Sequence, residues 1–331
     1  MSLHELRLWP LRKKVIASLL TIVFSVVVIG GVVGLFIYDD MLEIAASPAG
    51  QKINDLAQGV VDLKIDEIGL YKGIHELNSE IDASLLNRGF YAQIGYNVIG
   101  FLIPALILGW LFQSKGIRSF ETENKSPILF LATVVLAVNI QQIGSDALKI
   151  NEILGLDQLQ ELVFGTNKFE DHVNLITQYL MLFPNEDRGW FITIIGVALL
   201  PAVGEELMFR GVFMKLFSKQ SNHHNGIALS AFLFAIIHFN LTNFFYYFIL
   251  GVILGYAYYW GKNILFPIII HFINNALVVL VYVEVVSTPD DLKETLVDTT
   301  SNPYSLISYI TVALSLVIFY MHYQRNKYLI K

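Results

Sequence analysis

Long apolar runs recur along the whole chain, and they limit its fold more than any other feature. The bilayer's hydrocarbon core is about 30 Å thick, so a transmembrane helix needs about 20 mostly apolar residues. Backbone polar groups inside a membrane must be satisfied internally, which favours helices. The chain has 331 residues, of which 55% are hydrophobic and 15% charged. We therefore predict an all-α polytopic membrane protein. About eight transmembrane helices are expected, at residues 15–38, 94–112, 127–142, 190–214, 226–239, 244–260, 264–282 and 306–320.

Two polar stretches, 39–93 and 143–189, interrupt these spans and are predicted to be extracytoplasmic helical insertions. Apolar residues such as Ile53 and Leu56 repeat there at helical spacing. Residues 172–183 are interpreted as an interfacial helix. The other predicted units are an N-terminal anchor helix (1–38), transmembrane helices 2 and 3 (94–142), a helical core (190–283), an extracytoplasmic loop (284–303), and a last helix with a basic tail (304–331).

The distribution of charge predicts orientation and excludes some partners. The segments that would lie in the cytoplasm hold 13 lysines and arginines, and those that would lie on the other side of the membrane hold 8. This excess favours cytoplasmic N and C termini. The first span is too long for a signal-peptide core, so we expect an uncleaved helix. A formal net charge of −6 argues against nucleic acid as a partner. Cysteine is absent, so a metal site would need His, Asp, Glu or Asn ligands.

Two adjacent glutamates, Glu205 and Glu206, lie inside the apolar run 190–214. A charge near the bilayer centre costs roughly 2.5–3.5 kcal/mol on insertion scales. Glu206 and Arg210 are four residues apart, so they share a helix face and can form an ion pair. Glu205 points elsewhere and is free to face a cavity. The cluster is therefore either a structural tie between helices or a site of chemistry.

Further polar residues occur in two later spans. His238 ends one apolar run, and His271 shares a helix face with Asn275 in another. Either histidine alone fits a hydrogen bond between helices equally well, and Asn274 and Asn275 are typical of helix packing.

Taken together, the set on three helices favours hydrolysis. In one reading Glu205 is the base that activates water, with His and Asn donors for the oxyanion. In the other, His238, His271 and Glu205 hold Zn²⁺ with one open position.

Three motifs resemble those of the CPBP family of intramembrane proteases, which includes CAAX prenyl endopeptidases and bacteriocin-processing or immunity (Abi-like) relatives. They are E-E-x-x-x-R at 205–210, F-x-x-x-H at 234–238 and H-x-x-x-N at 271–275, in that order on apolar helices. The resemblance covers about residues 190–282. It implies an endopeptidase of glutamic or metallo type. The implied site residues are Glu205 as the water-activating base, Glu206 as a second carboxylate, and His238, His271 and Asn275 as oxyanion donors or metal ligands.

The expected partners are the lipid bilayer, a peptide or membrane-protein substrate, and a protein that binds the extracytoplasmic regions. We expect an integral membrane protein, which would lie in the plasma membrane if its source is bacterial. Two alternatives remain open. One is a non-catalytic immunity or scaffold protein of the same fold. The other is a proton-coupled transporter, since buried Glu and His also serve there, although no inverted repeat is evident.

Overall fold

The computed structural model describes residues 5–6, 8–112, 120, 122, 124–165, 167–287 and 304–329. Regular structure in these residues is helical, and no strand occurs among them. The helices are α1 (Leu11–Ala46), α2 (Pro48–Val61), α3 (Glu67–Glu80), α4 (Ala83–Phe112), α5 (Pro127–Ile153), α6 (Leu156–Phe164), α7 (Lys168–Leu182), α8 (Trp190–Gln220), α9 (His223–Ile236), α10 (Phe244–Gly261), α11 (Leu265–Ser287) and α12 (Tyr304–Leu329). The predicted loop 284–303 lies largely outside the described residues, and its first four residues continue α11.

Within the described part of the chain, seven helices are long and apolar enough to cross a membrane: α1, α4, α5, α8, α10, α11 and α12. The polytopic all-α fold is thereby confirmed. The span predicted at 226–239 differs, because α9 has only 14 residues. At 1.5 Å per residue it covers about 21 Å, less than the hydrocarbon core. The other seven predicted spans each fall on one of these long helices.

The two predicted insertions pack against each other in a single unit, which we call the cap. It consists of α2, α3 and α7 with the adjoining ends of α1, α4 and α11. Ile53, Ile74, Leu86 and Ile176 are buried together in its core. Residues 172–183 belong to α7 and its C-cap, and their apolar face is taken up by this core. Tyr282 of α11 is buried there too, so the cap rests on the end of a membrane helix.

A buried arginine joins the cap to the start of α8. Arg188 Nη2 donates to the carbonyl oxygens of Met181, at 2.7 Å, and Phe183, at 2.5 Å. Its Nη1 donates to Asn87 Oδ1 at 2.8 Å, and the guanidinium lies 4.0 Å above the Phe90 ring. Burial lowers the pKa of Arg188 to about 10, so the group is still charged at neutral pH. These contacts fix the point at which α8 begins.

Glycine on α10 allows a close approach of α9. A Cβ atom at Gly251 would lie 2.9 Å from the Cβ of Ala231, and one at Gly255 would lie 2.7 Å from Ile227 Cγ2. Small residues four apart permit this contact between membrane helices. The short α9 is thereby held against α10, and it also packs on α8.

Candidate functional site

The two glutamates lie where α8 changes its helical form. Residues Leu200–Glu206 are α-helical, and Leu207–Phe213 form a π-helical segment directly afterwards. Such segments occur frequently at functional sites. Just before the pair, a Cβ at Gly204 would lie 3.3 Å from the backbone nitrogen of Leu102 on α4. Glycine therefore lets the backbone before the glutamates pack directly on a neighbouring helix.

Glu206 is the centre of a buried polar network that ties three helices together. Its Oε1 accepts from Arg210 Nη1 at 2.6 Å and lies 2.9 Å from His271 Nδ1. Arg210 Nη2 donates to the carbonyl oxygen of Gly251 at 2.9 Å. The side chains of Glu206 and Arg210 are 0% and 1% exposed. The i,i+4 pair that the spacing predicts is thus formed, and it links α8 to α10 and α11.

Glu205 lies outside this network. Its side chain is 12% exposed, and its Oε2 is 3.9 Å from Nε2 of His271. That distance is too long for a hydrogen bond. Among the described residues, this oxygen has no hydrogen-bond partner. Glu205 therefore presents a free carboxylate oxygen beside an imidazole, in a site that is almost closed.

His238 follows the end of α9, and its ring is fixed on two sides. Its Nδ1 lies 2.6 Å from the carbonyl oxygen of Phe234. Because a carbonyl can only accept, Nδ1 carries the proton and a neutral ring has its lone pair on Nε2. The ring stacks on Tyr247 with centroids 4.0 Å apart. The ring of Phe234 contacts those of both His238 and His271, with centroids 4.7 and 5.9 Å apart.

The two asparagines of α11 differ in their surroundings. Asn275 is half-buried, and its Oδ1 accepts from Asn274 Nδ2 at 3.3 Å. Asn274 is buried and bridges helices. Its Oδ1 accepts from Gln141 Nε2 on α5 at 3.0 Å, and its amide also contacts the hydroxyl of Tyr246 on α10. Sequence reasoning assigned Asn274 to helix packing but did not identify Gln141 or Tyr246 as its partners.

The zinc alternative requires three ligands that converge on one point. Across the described ranges, no three His, Asp or Glu side chains are grouped so that they could hold a metal ion. Both imidazoles use Nδ1 for a contact within the protein, His271 with Glu206 and His238 with a backbone carbonyl, so Nε2 is the nitrogen that each keeps for the site.

Comparison with known families agrees with the motifs. Residues 187–277 match the family model described as type II CAAX prenyl endopeptidase Rce1-like. The chain carries an Rce1-like domain. This is consistent with the CPBP family and its CAAX-type intramembrane proteases. The matched segment contains all the predicted site residues, whereas the first 186 residues lie outside it. No curated protein and no solved structure matches the chain. Together with its seven apolar helices, the domain marks an integral membrane protein.

Proposed function

We propose that the chain is an intramembrane endopeptidase in which Glu205 is the base that activates water. The observation that carries the proposal is the contrast between two neighbouring carboxylates. Glu206 is 0% exposed and contacts both Arg210 and His271, whereas Glu205 is 12% exposed and lies 3.9 Å from His271, too far for a hydrogen bond. A general base must be free to accept a proton from the nucleophile. Glu206 and Arg210 hold the helices of the site together, and Glu205 is the reactive group.

The charges of the cluster support a proton-transfer role. Two carboxylates and one guanidinium leave one net negative charge in a region of low dielectric, where an unpaired charge is costly. A single proton on Glu205 or His271 makes the cluster neutral. When that proton is on His271, the proton that Glu205 takes from water is balanced by the negative charge of the oxyanion and remains available for a later step.

The reaction we propose is a peptide hydrolysis in two steps. In the first, water attacks the carbonyl carbon and Glu205 takes its proton, giving a tetrahedral oxyanion. His238 offers its Nε2 lone pair to the water, and protonated His271 and the Asn275 amide donate to the oxyanion. In the second, the C–N bond breaks and the proton passes from Glu205 to the leaving amine. This assigns His238 to the water side of the site, because its Nδ1–H is already used on Phe234.

Replacing Glu205 tests the proposal directly. Glu205→Gln keeps the size of the side chain but removes the base, so we expect cleavage to fall by about 10²–10⁴-fold. The assay uses purified protein in vesicles with a prenylated CAAX peptide and a library of membrane-spanning peptides as substrates. Glu161→Gln, an exposed change on α6, is the matched control and should leave cleavage unchanged. Turnover that persists in Glu205→Gln would sink the proposal.

A non-catalytic binding protein of the same fold is the second candidate. The observation that favours it is that Glu206, Arg210 and His271 already have a structural role, because they tie α8 to α10 and α11. In that case Glu205→Gln would retain the biological phenotype of the wild type. If Glu205→Gln loses the phenotype while the protein is still inserted and folded, the result supports the protease over the binding protein.

A further inference from the structure

We propose that α6 lies in the membrane interface with its apolar face on lipid, and that Gln160 on its other side positions the loop that follows His238. The inference deepens the proposed function and rests on it, because this loop, by which we mean residues 239–243 with the first two residues of α10, lies between His238 and Tyr247. It names the bilayer as the partner of α6 and adds Gln160 as a positioning residue for the site.

The apolar face of α6 is uncovered. Leu159, Leu162 and Val163 share this face of the helix and are 41%, 81% and 58% exposed. Glu161 points in the opposite direction. A helix with one apolar and one charged face is typical of segments that lie in the plane of the interface.

The position of α6 in the fold identifies lipid as what covers this face. The helix follows α5 after only two residues, with Gly155 in the left-handed region at φ 64°. Ile153 and Leu154, at the end of α5, are apolar and exposed too. α5 is one of the seven span-length helices. The surface therefore starts where a membrane helix ends, which is the level of the headgroups and upper acyl chains.

Gln160 is the polar side chain that α6 turns inward, and it is 7% exposed. Its Oε1 accepts from the backbone nitrogens of Leu241 and Thr242, at 2.8 and 3.3 Å. Its Nε2 lies 3.1 Å from each carboxylate oxygen of Asp171 on α7. Backbone N–H groups at a helix start have no intrahelical partner. Gln160 therefore satisfies two such donors and is itself oriented by Asp171.

Two further contacts hold the same loop from α5 and α6. The Oδ1 of Asn151, which is buried, accepts from the nitrogen of Phe245 at 3.1 Å. The ring of Phe164 meets that of Phe239 edge-on, with centroids 6.3 Å apart. The loop is thus held at both ends by one continuous segment. A shift of α6 would be transmitted to His238 and to the tyrosine that stacks on it.

The lipid contact can be measured by spin labelling, because the chain has no native cysteine. Leu162→Cys and, as the matched control, Glu161→Cys are labelled in vesicles of phosphatidylethanolamine and phosphatidylglycerol. We expect the label at 162 to be more accessible to dissolved oxygen than to a water-soluble nickel complex, and the label at 161 to show the reverse. Preference for the nickel complex at both positions would overturn the lipid contact.

The positioning role of Gln160 can be read from hydrogen exchange at Leu241 and Thr242. Gln160→Ala should speed exchange of these amides by about fivefold or more, since each loses its acceptor. Gln158→Ala, an exposed neighbour, should not change it. The exchanged pair Gln160→Glu with Asp171→Asn restores both an acceptor for the loop and a donor to that acceptor. We expect this double variant to recover slow exchange. Gln160→Glu alone should not recover it, because its carboxylate faces the carboxylate of Asp171.

The two proposals fail in different ways. If Glu205→Gln abolishes cleavage while Gln160→Ala changes neither exchange nor cleavage, Gln160 is not a positioning residue and the protease proposal stands. If Glu205→Gln still cleaves, the protease mechanism is wrong, whereas the labelling and exchange results still decide where α6 lies and what Gln160 holds. If Gln160→Ala lowers the cleavage rate and the exchanged pair restores it, both proposals are supported.

Discussion

At the scale of single residues, the site depends on two neighbouring glutamates having different partners. Glu206 accepts from Arg210 and contacts His271, whereas Glu205 is more exposed and lies 3.9 Å from His271. The geometry follows from the helix itself, because residues four apart share a face and residues five apart do not. The insertion cost of Glu206 is thereby offset by a local ion pair.

The Glu206–Arg210 pair gives a prediction about stability. Removing one member of a buried pair leaves an uncompensated charge, which costs about 3–5 kcal/mol. We expect Arg210→Met to lower the free energy of unfolding in detergent by that amount. The double variant Glu206→Gln with Arg210→Met removes both charges and should be more stable than Arg210→Met alone. A double variant no more stable than the single one would show that the ion pair is not the source of the loss.

Sequence reasoning worked for this pair because both partners lie on one turn of one helix. It could not find the contacts of Gln160 with Leu241, or of Gln141 with Asn274, which are separated by 81 and 133 residues. Such contacts depend on which helices become neighbours, and a single sequence does not contain that information directly. The sequence shows a polar residue in an apolar segment, which indicates a buried contact. It does not show which residue makes that contact.

At the scale of helices, the sequence predicted where apolar segments lie but not how each helix is built. The run at 226–239 falls mostly on α9, which has only 14 residues because it starts after the Asn222 cap and ends at Ile236, before His238. The π-helical segment that follows Glu206 was not predicted either. A π-helical turn contains one extra residue, and the spacing of apolar residues in the sequence does not reveal it. Close packing at Gly251 and Gly255 was predictable, because small residues at this spacing permit it.

The contact between α9 and α10 gives a prediction at this scale. A Cβ at Gly251 would lie 2.9 Å from the Cβ of Ala231, so Gly251→Ala must push the helices apart. Overpacking of this kind costs typically about 1–3 kcal/mol. It also moves the carbonyl that Arg210 binds. We expect a lower unfolding temperature for Gly251→Ala and partial recovery when it is combined with Ala231→Gly.

Gly34→Ala provides the control for that experiment, because a Cβ at Gly34 has no atom within 4 Å. Both glycines lie inside membrane helices, so the two variants share the same change in backbone propensity. Equal loss of stability in both would assign the effect to propensity, and the packing argument would be wrong.

At the scale of the whole molecule, the chain has a membrane core and a cap with a core of its own. The cap binds the start of α8 through Arg188 and the end of α11 through Tyr282, whose hydroxyl accepts from Asn78 Nδ2 at 3.2 Å. These are the helices that carry Glu205 and His271. The sequence predicts two polar insertions, but it does not show that segments about 100 residues apart share one core, which depends on tertiary packing.

The direction in which the molecule crosses the membrane remains a proposal, and the two ends of α8 make it testable. This helix has 31 residues and spans about 46 Å, so the cap at its start and Lys219 at its end lie on opposite sides of the membrane. The excess of lysine and arginine predicts that Lys219 faces the cytoplasm. In intact cells, an impermeant maleimide should label Leu63→Cys in the cap and should label Lys219→Cys only after permeabilisation. Because the chain has no other cysteine, labelling in the reverse pattern would place the cap in the cytoplasm and overturn the proposed orientation.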